Sequence, residues 1–161
     1  MHKKQILIID NSTSYLNNLK QLFSEHNLTI ISFSEIDLEK INNFDLIILS
    51  GGSKFPVIGN EKLLQKEFKL IKESKKPIFG ICFGFEIIAS AFGATLKRME
   101  LKEKGIINIE ILQEDIIFKN LPNLEIYESH RWVVESTGED LIALAKSKDG
   151  IEAIKHKERQ I

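Results

Sequence analysis

Residues 5–10, QILIID, form an unbroken apolar run that ends on an aspartate. A run of that length without polar alternation predicts a strand buried on both faces. The period then changes. In NSTSYLNNLKQLFSEHN (11–27), Tyr15, Leu16, Leu19, Leu22 and Phe23 recur at helical spacing, with Ser12 or Thr13 as the cap-type residue ahead of them. His26 falls at the end of this predicted helix, where a cation suits the dipole. LTIISF (28–33) reads as the next strand, SEIDLEKINN (34–43) as a short helix and FDLIILS (44–50) as another buried strand. GNEKLLQKEFKLIKESKK (59–76) is an amphipathic helix, PIFGIC (77–82) a strand, and FEIIASAFG (85–93) a helix ending at Gly93.

The texture changes at Ala94. ATLKRM, GIINIEIL, LEIYESHRWVV, LIALAKS and IEAIKH are short strand-like runs broken by Gly, Pro and charged turns, and no long helix is predicted among them. Alternating strands and helices imply a parallel sheet with helices on both faces. The expected fold is therefore α/β: an open, mostly parallel sheet of flavodoxin-like type, followed by an antiparallel C-terminal part. A length of 161 residues suits one domain spanning 1–161.

Composition narrows the function classes. Lys plus Arg is 22 and Asp plus Glu is 23, so the net charge is −1. That balance offers no electrostatic footprint for nucleic acid. No stretch approaches the ~18 apolar residues of a membrane span, and the N-terminal apolar run is too short for a signal-peptide core. A single cysteine excludes an internal disulfide framework and fits a reducing compartment, so the expected location is cytoplasmic.

Two Gly-containing loops leave the carboxyl ends of predicted parallel strands, where sheets of this kind bind ligands. One is SGGSKFP (50–56) and the other GICFG (80–84). Gly80-Ile81-Cys82-Phe83-Gly84 is G-x-C-x-G, the thiol counterpart of the nucleophile elbow, with a predicted strand before it and a helix after it. Such a turn needs small neighbours, holds the nucleophile in a strained conformation, and points the next backbone N–H at a developing oxyanion. The following helix N-terminus is expected to stabilise a thiolate. The bland alternative is a packing cysteine at a Gly-rich turn. Gly51-Gly52 offers a second oxyanion donor, or simply a tight turn. A base is harder to find: none of the four histidines, His2, His26, His130 and His156, is an obvious partner for Cys82.

LSGGS, GICFGFEIIASAFGA, SHRWVV and GIEAIKHKERQI come in the order and approximate spacing of the class I, triad-type glutamine amidotransferase domain, which the chain resembles over nearly its whole length. The likeness leans to the GMP synthase branch. The resemblance implies attack of a cysteine thiolate on the side-chain amide of glutamine. A thioester then forms, ammonia passes to a synthetase partner, and water releases glutamate. It implies no metal and no cofactor. By position it makes Cys82 the nucleophile, Gly52 and Phe83 the oxyanion-hole donors, and Gly80 and Gly84 the elbow glycines. Glu86, Gly51, Ser129 and His130 would border the substrate.

Three departures accompany the resemblance. Glu86 stands where the family usually has a substrate-holding Gln, and Ser53 where it has Pro. The family's catalytic His and Glu lie in an F-H-P-E segment, and no His-Pro-Glu occurs in these 161 residues. The expectation is thus a C-terminally truncated domain, impaired or inactive as it stands, or alternatively a non-catalytic relative that binds or regulates a partner. Two further readings carry less. A receiver-like signalling domain would align its phospho-acceptor with Ser50, and a related cysteine-hydrolase group has a histidine after the cysteine, where Phe83 stands here. Trp132 is expected beside the sheet, Glu128 and Ser129 at a strand edge or the site mouth, and Lys54 and Phe55 at the surface or, alternatively, covering the pocket.

Overall fold

A computed structural model describes residues 2–52, 54–121 and 124–161. Strands β1 (Gln5–Asp10), β2 (Asn27–Ser32), β3 (Leu46–Leu49) and β4 (Ile78–Gly80) form a parallel sheet in the order β2-β1-β3-β4. In register, Ile8 lies beside Ile30 on one side and Ile48 on the other. Strand side chains alternate between faces, and both faces here are apolar. Ile6, Ile8 and Ile48 face helix α1 (Leu16–Leu22) through Leu16 and Leu19. Leu7, Ile9, Ile47 and Leu49 face the other layer, helices α2 (Gln65–Glu73) and α3 (Phe83–Ala91), through Leu70, Ile71, Ile87 and Ile88. Each such fully buried aliphatic side chain contributes about 1.5–3 kcal/mol. Helices therefore cover both faces, as the unbroken apolar runs require.

Helices α1 and α2 are shorter than the periodicity predicts, each for a local reason. α1 begins after Tyr15 and not at Ser12 or Thr13: Ser12 adopts φ 65°, and Thr13 donates its N–H to Oδ1 of Asp10 in a turn. α1 ends at Leu22, so His26 lies beyond it and does not meet its dipole. The predicted helix at 34–43 is two isolated 3₁₀ turns, Phe33–Glu35 and Ile41–Asn43. A capping box between Ser32 and Glu35 closes the first turn, and Ile36 then leaves it in an extended direction. α2 starts only at Gln65: Gly59 turns the chain at φ 86°, and residues 60–64 form turns in which Leu63 and Leu64 donate their N–H groups to Asn60 O. α3 starts and ends two residues earlier than predicted, at Phe83 and Ala91, and Gly93 follows its C-cap Phe92 in the left-handed conformation at φ 78°.

The remaining strands form a second, antiparallel sheet in the order β5-β7-β9-β8-β6, made of β5 (Thr95–Asn108), β6 (Glu110–Ile111), β7 (Glu125–Ser136), β8 (Leu141–Lys146) and β9 (Ile151–His156). β5 joins two runs that the sequence separates; an irregularity between Arg98 and Glu103 absorbs the charged stretch where it passes His130 and Trp132 of β7. The last residues return to the parallel layer. Arg159 donates to the carbonyls of Ile71, Lys72 and Ser74 at the end of α2, and Gln160 accepts from the N–H of Ile78 at 2.8 Å. The arginine bonds satisfy carbonyls that a helix end leaves orphaned. No helix among the described residues is long and apolar enough to cross a membrane.

Candidate active site

The carboxyl ends of β1, β3 and β4 open on one side of the parallel sheet. Strand order reverses between β1 and β3, the place where open α/β sheets leave a crevice. A buried network closes the floor of that crevice. Asn11 donates its backbone N–H to Oγ of Ser50 at 2.9 Å and its side-chain amide to Ser50 O at 3.2 Å and Glu67 Oε1 at 3.0 Å. Ser50 is fully buried and its hydroxyl donates to Gly51 O, so it is no surface phospho-acceptor and the receiver-like reading falls. Gly52 packs directly on Asn11: a Cβ there would lie 2.3 Å from Asn11 O. The Gly51-Gly52 loop is thereby pinned to β1. Ser53, the next residue, lies outside the described residues.

Cys82 links β4 to α3 with φ 51° and ψ −106°. A non-glycine residue at positive φ is uncommon and marks stored strain. Gly84 is demanded by close approach: a Cβ on it would meet Leu49 O at 2.3 Å. α3 starts this near to β3 only because that side chain is absent. Phe83 N–H, one of the orphan donors of the helix start, lies beside the Cys82 sulfur and favours its thiolate. On the opposite side, Gly51 stands so near that a Cβ would be 3.6 Å from Cys82 Cβ.

Cys82 is solvent-accessible yet ringed by protein atoms, at the junction of three cavities. One of about 380 Å³ is bordered by Gly51, Gly52, Cys82 and Ser129. Another of about 490 Å³ has Gly52, Cys82, Phe83, Glu86, Ser129 and His130 in its wall, and a third of about 510 Å³ adds Gly80, Glu128 and Glu152. The residues singled out in the sequence thus come together, except Gly84, which lies buried beneath them. Phe55, expected at the surface or covering the pocket, packs edge-on between Phe33 and Phe83, and Trp132 lines two of the cavities.

The electrostatics differ from expectation. Burial, then the carboxylates of Glu86 and Glu128, push the Cys82 thiol up, outweighing the Phe83 N–H that favours the thiolate. Glu86 is 7 % exposed, and burial raises its carboxyl to about 7, with His130 opposing the shift. The neighbouring Glu128 carboxylate pushes His130 up.

Comparisons with known proteins cover the elements that build this site. Residues 7–161 match the family described as glutamine amidotransferase class-I. The chain belongs to the class-I glutamine amidotransferase family. Among curated amidotransferase relatives, a glutamine-hydrolyzing GMP synthase subunit of Pyrococcus abyssi is 36 % identical over 97 % of this chain and 84 % of its own length. The same GMP synthase subunit of Methanococcus vannielii is 33 % identical over 97 % and 82 %. The crystal structure of a GMP synthase subunit protein from Thermoplasma acidophilum superposes with a TM-score of 0.87 at 25 % identity, covering 99 % of this chain and 81 % of that one. A glutamine amidotransferase from Thermotoga maritima shares the fold, with a TM-score of 0.77 at 19 % identity over 99 % and 76 %.

Two features of this site escape the sequence. Glu128, expected at a strand edge or the site mouth, lines the cavity of about 510 Å³ that holds Cys82, but it is 8 % exposed and faces His130 and Glu152, which the sequence does not announce. Its spacing of two from His130 on one strand is the available signal, but Glu152 arrives from a different strand and nothing local announces it. Glu67 is the other, fully buried from an otherwise amphipathic helix. Among the described residues, no histidine is hydrogen-bonded to Cys82. His156 instead accepts N–H bonds from Glu158 and Arg159 through Nδ1 and packs on Phe92.

Proposed function

We propose that this chain is a glutamine-hydrolysing component that serves a GMP synthase-type synthetase in purine nucleotide synthesis, in the cytoplasm, with residues 1–161 acting as one domain. In this reading Cys82 attacks the side-chain amide carbon of glutamine, and the N–H groups of Phe83 and Gly52 receive the oxyanion. The C–N bond breaks and ammonia leaves for the synthetase. Water then cleaves the γ-glutamyl thioester, releasing glutamate and restoring the thiol. Glu86, Gly51, Ser129 and His130 border the bound amino acid. The observation that carries the reading is the strained Cys82 elbow facing the Gly51-Gly52 loop. No metal or cofactor enters it.

The raised thiol pKa, and the lack among the described residues of a histidine hydrogen-bonded to Cys82, support slow turnover by the chain. A base must reach Cys82 for the thiolate to form efficiently. Isothermal titration with glutamine, run beside a glutamate-release assay on the chain and on Cys82→Ala, tests this. Saturable binding with weak, Cys82-dependent release is expected. Absence of binding overturns the glutamine reading, and rapid release abolished by Cys82→Ala overturns the impairment. Binding with no release at all supports the alternative, a non-catalytic relative that regulates a partner.

A further inference from the structure

Glu128 and His130 are two residues apart on β7, so their side chains leave the same face of the strand. β9 brings Glu152 to them. One ligating atom from each of the three lies within 4.8 Å of the other two. His130 Nε2 stands 2.8 Å from Glu128 Oε2, with the two side chains only 13 % and 8 % exposed. The two form an ion pair in which the ring N–H is poorly aimed at the oxygen, so neither buried atom gains a well-directed hydrogen bond from the other or from a third group among the described residues. An imidazole nitrogen and carboxylate oxygens left this way are donor atoms that a cation between the three side chains could take.

We propose that Glu128, His130 and Glu152 form a binding site for a divalent transition cation, with Zn²⁺ the best fit. An imidazole with two carboxylates matches zinc, which accepts three protein ligands and keeps an open fourth position. Calcium and magnesium prefer all-oxygen shells of six or more ligands. Metal–ligand bonds of ~2.0–2.1 Å place tetrahedral ligand atoms roughly 3.3 Å apart, so the 4.8 Å span closes with small side-chain movements. Ser147 donates to Glu152 Oε1 at 2.6 Å, which fixes that carboxylate as an outer hydrogen bond fixes a metal ligand. Two carboxylates packed beside a single imidazole also leave excess negative charge in a half-buried place, which a dication offsets. The open position faces the cavity of about 510 Å³ that also holds Cys82. The site does not depend on the glutaminase reading.

The test is competition for Zn²⁺ between a chromophoric chelator and the metal-stripped, reduced 161-residue chain. The result expected is one equivalent bound with Kd of about 1 µM or below. Binding should weaken at least about tenfold in each of Glu152→Gln and His130→Ala, and stay within roughly threefold in Cys82→Ser. No stoichiometric binding overturns the proposal, and so does binding that survives both ligand variants while their circular dichroism is native. Should a variant fail to fold, the Co²⁺ spectrum of the unaltered chain decides. A tetrahedral spectrum free of thiolate-to-metal charge transfer supports the site, and a charge-transfer band places the ion on Cys82 and overturns it.

Discussion

The side-chain amide of Asn11 donates to Oε1 of Glu67 across 3.0 Å, joining the end of β1 to the buried face of α2. Both residues are buried. Removing the carboxyl therefore leaves the amide with only its 3.2 Å bond to Ser50 O, and a lost buried partner costs about 1–3 kcal/mol. Glu67→Ala should lower the unfolding free energy by that amount in urea titration. Glu67→Gln keeps an acceptor of the same shape and should remain within about 1 kcal/mol of the parent. Equal losses in the two variants would mean that the cavity left by the side chain, and not the bond to Asn11, sets the cost.

Glu67 also makes stability depend on pH. Burial raises its folded-state pKa from 4.5 to about 7, with the Asn11 bond opposing. The folded chain then holds a proton that the unfolded chain releases between these values. Stability from this group is complete below pH 4.5 and is lost as pH rises through about 7. At one pKa unit per 1.36 kcal/mol, the loss is at most about 3 kcal/mol. Glu86, buried beside Cys82, and Glu152, half-buried and crowded by Glu128, are raised to about 7 as well and act in the same direction. Urea midpoints should fall from about pH 5 to about pH 7.5, and the slope should flatten in Glu67→Gln. An unchanged slope would refute a buried protonated Glu67.

Most of this architecture was legible in residue pattern because the central parallel strands β1 and β3 are short, apolar runs without polar alternation. Residues 5–10 and 46–49 can satisfy two apolar faces only inside a covered sheet, and Gly80-x-Cys82-x-Gly84 needs its strand and helix to exist at all. Helix ends were not legible, since Ser12 and Gly59 break the helices through backbone conformation while the apolar spacing continues. The elbow and the Gly51-Gly52 loop were readable as local motifs. The acidic side of the cavity was not. Glu128 and Glu152 meet through pairing of β7 with β9, a relationship of register between distant segments, and an isolated glutamate in a strand reads as a solvated one.

Cys82 and Glu86 are one helical turn apart, and Glu86 donates its N–H to Cys82 O at 3.0 Å. After burial, the Glu86 charge is the largest influence holding the thiol protonated. Glu86→Gln removes that charge with little change of shape. The alkylation–pH profile of Cys82 with iodoacetamide should move to lower pH, with a rate gain of roughly threefold near about pH 8 for a single nearby charge. The same variant should strengthen glutamine binding above about pH 7, where Glu86 is ionised and opposes the ligand carboxylate, and change it little a pH unit below. An alkylation profile identical to the parent would show that Glu86 does not act on the thiol.

Gly84→Ala sets helix propensity against packing at the elbow. Gly84 lies in α3, where alanine is favoured over glycine by about 1 kcal/mol. Its added Cβ, however, would lie 2.3 Å from Leu49 O and 2.7 Å from Leu49 C, atoms of a central strand that cannot rotate away. Overpacking of this kind costs about 1–3 kcal/mol or more, so the clash wins and α3 must move off β3. Gly93→Ala makes the control. That residue also flanks α3, has open space around a Cβ, and has φ 78° as its only constraint, so its cost should stay near about 1–2 kcal/mol. Only Gly84→Ala displaces the turn that carries Cys82. It should lose both stability and the pH-dependent alkylation profile, whereas Gly93→Ala should lose stability alone. A Gly84→Ala chain with an unaltered profile would show that the close contact with Leu49 does not set the elbow geometry.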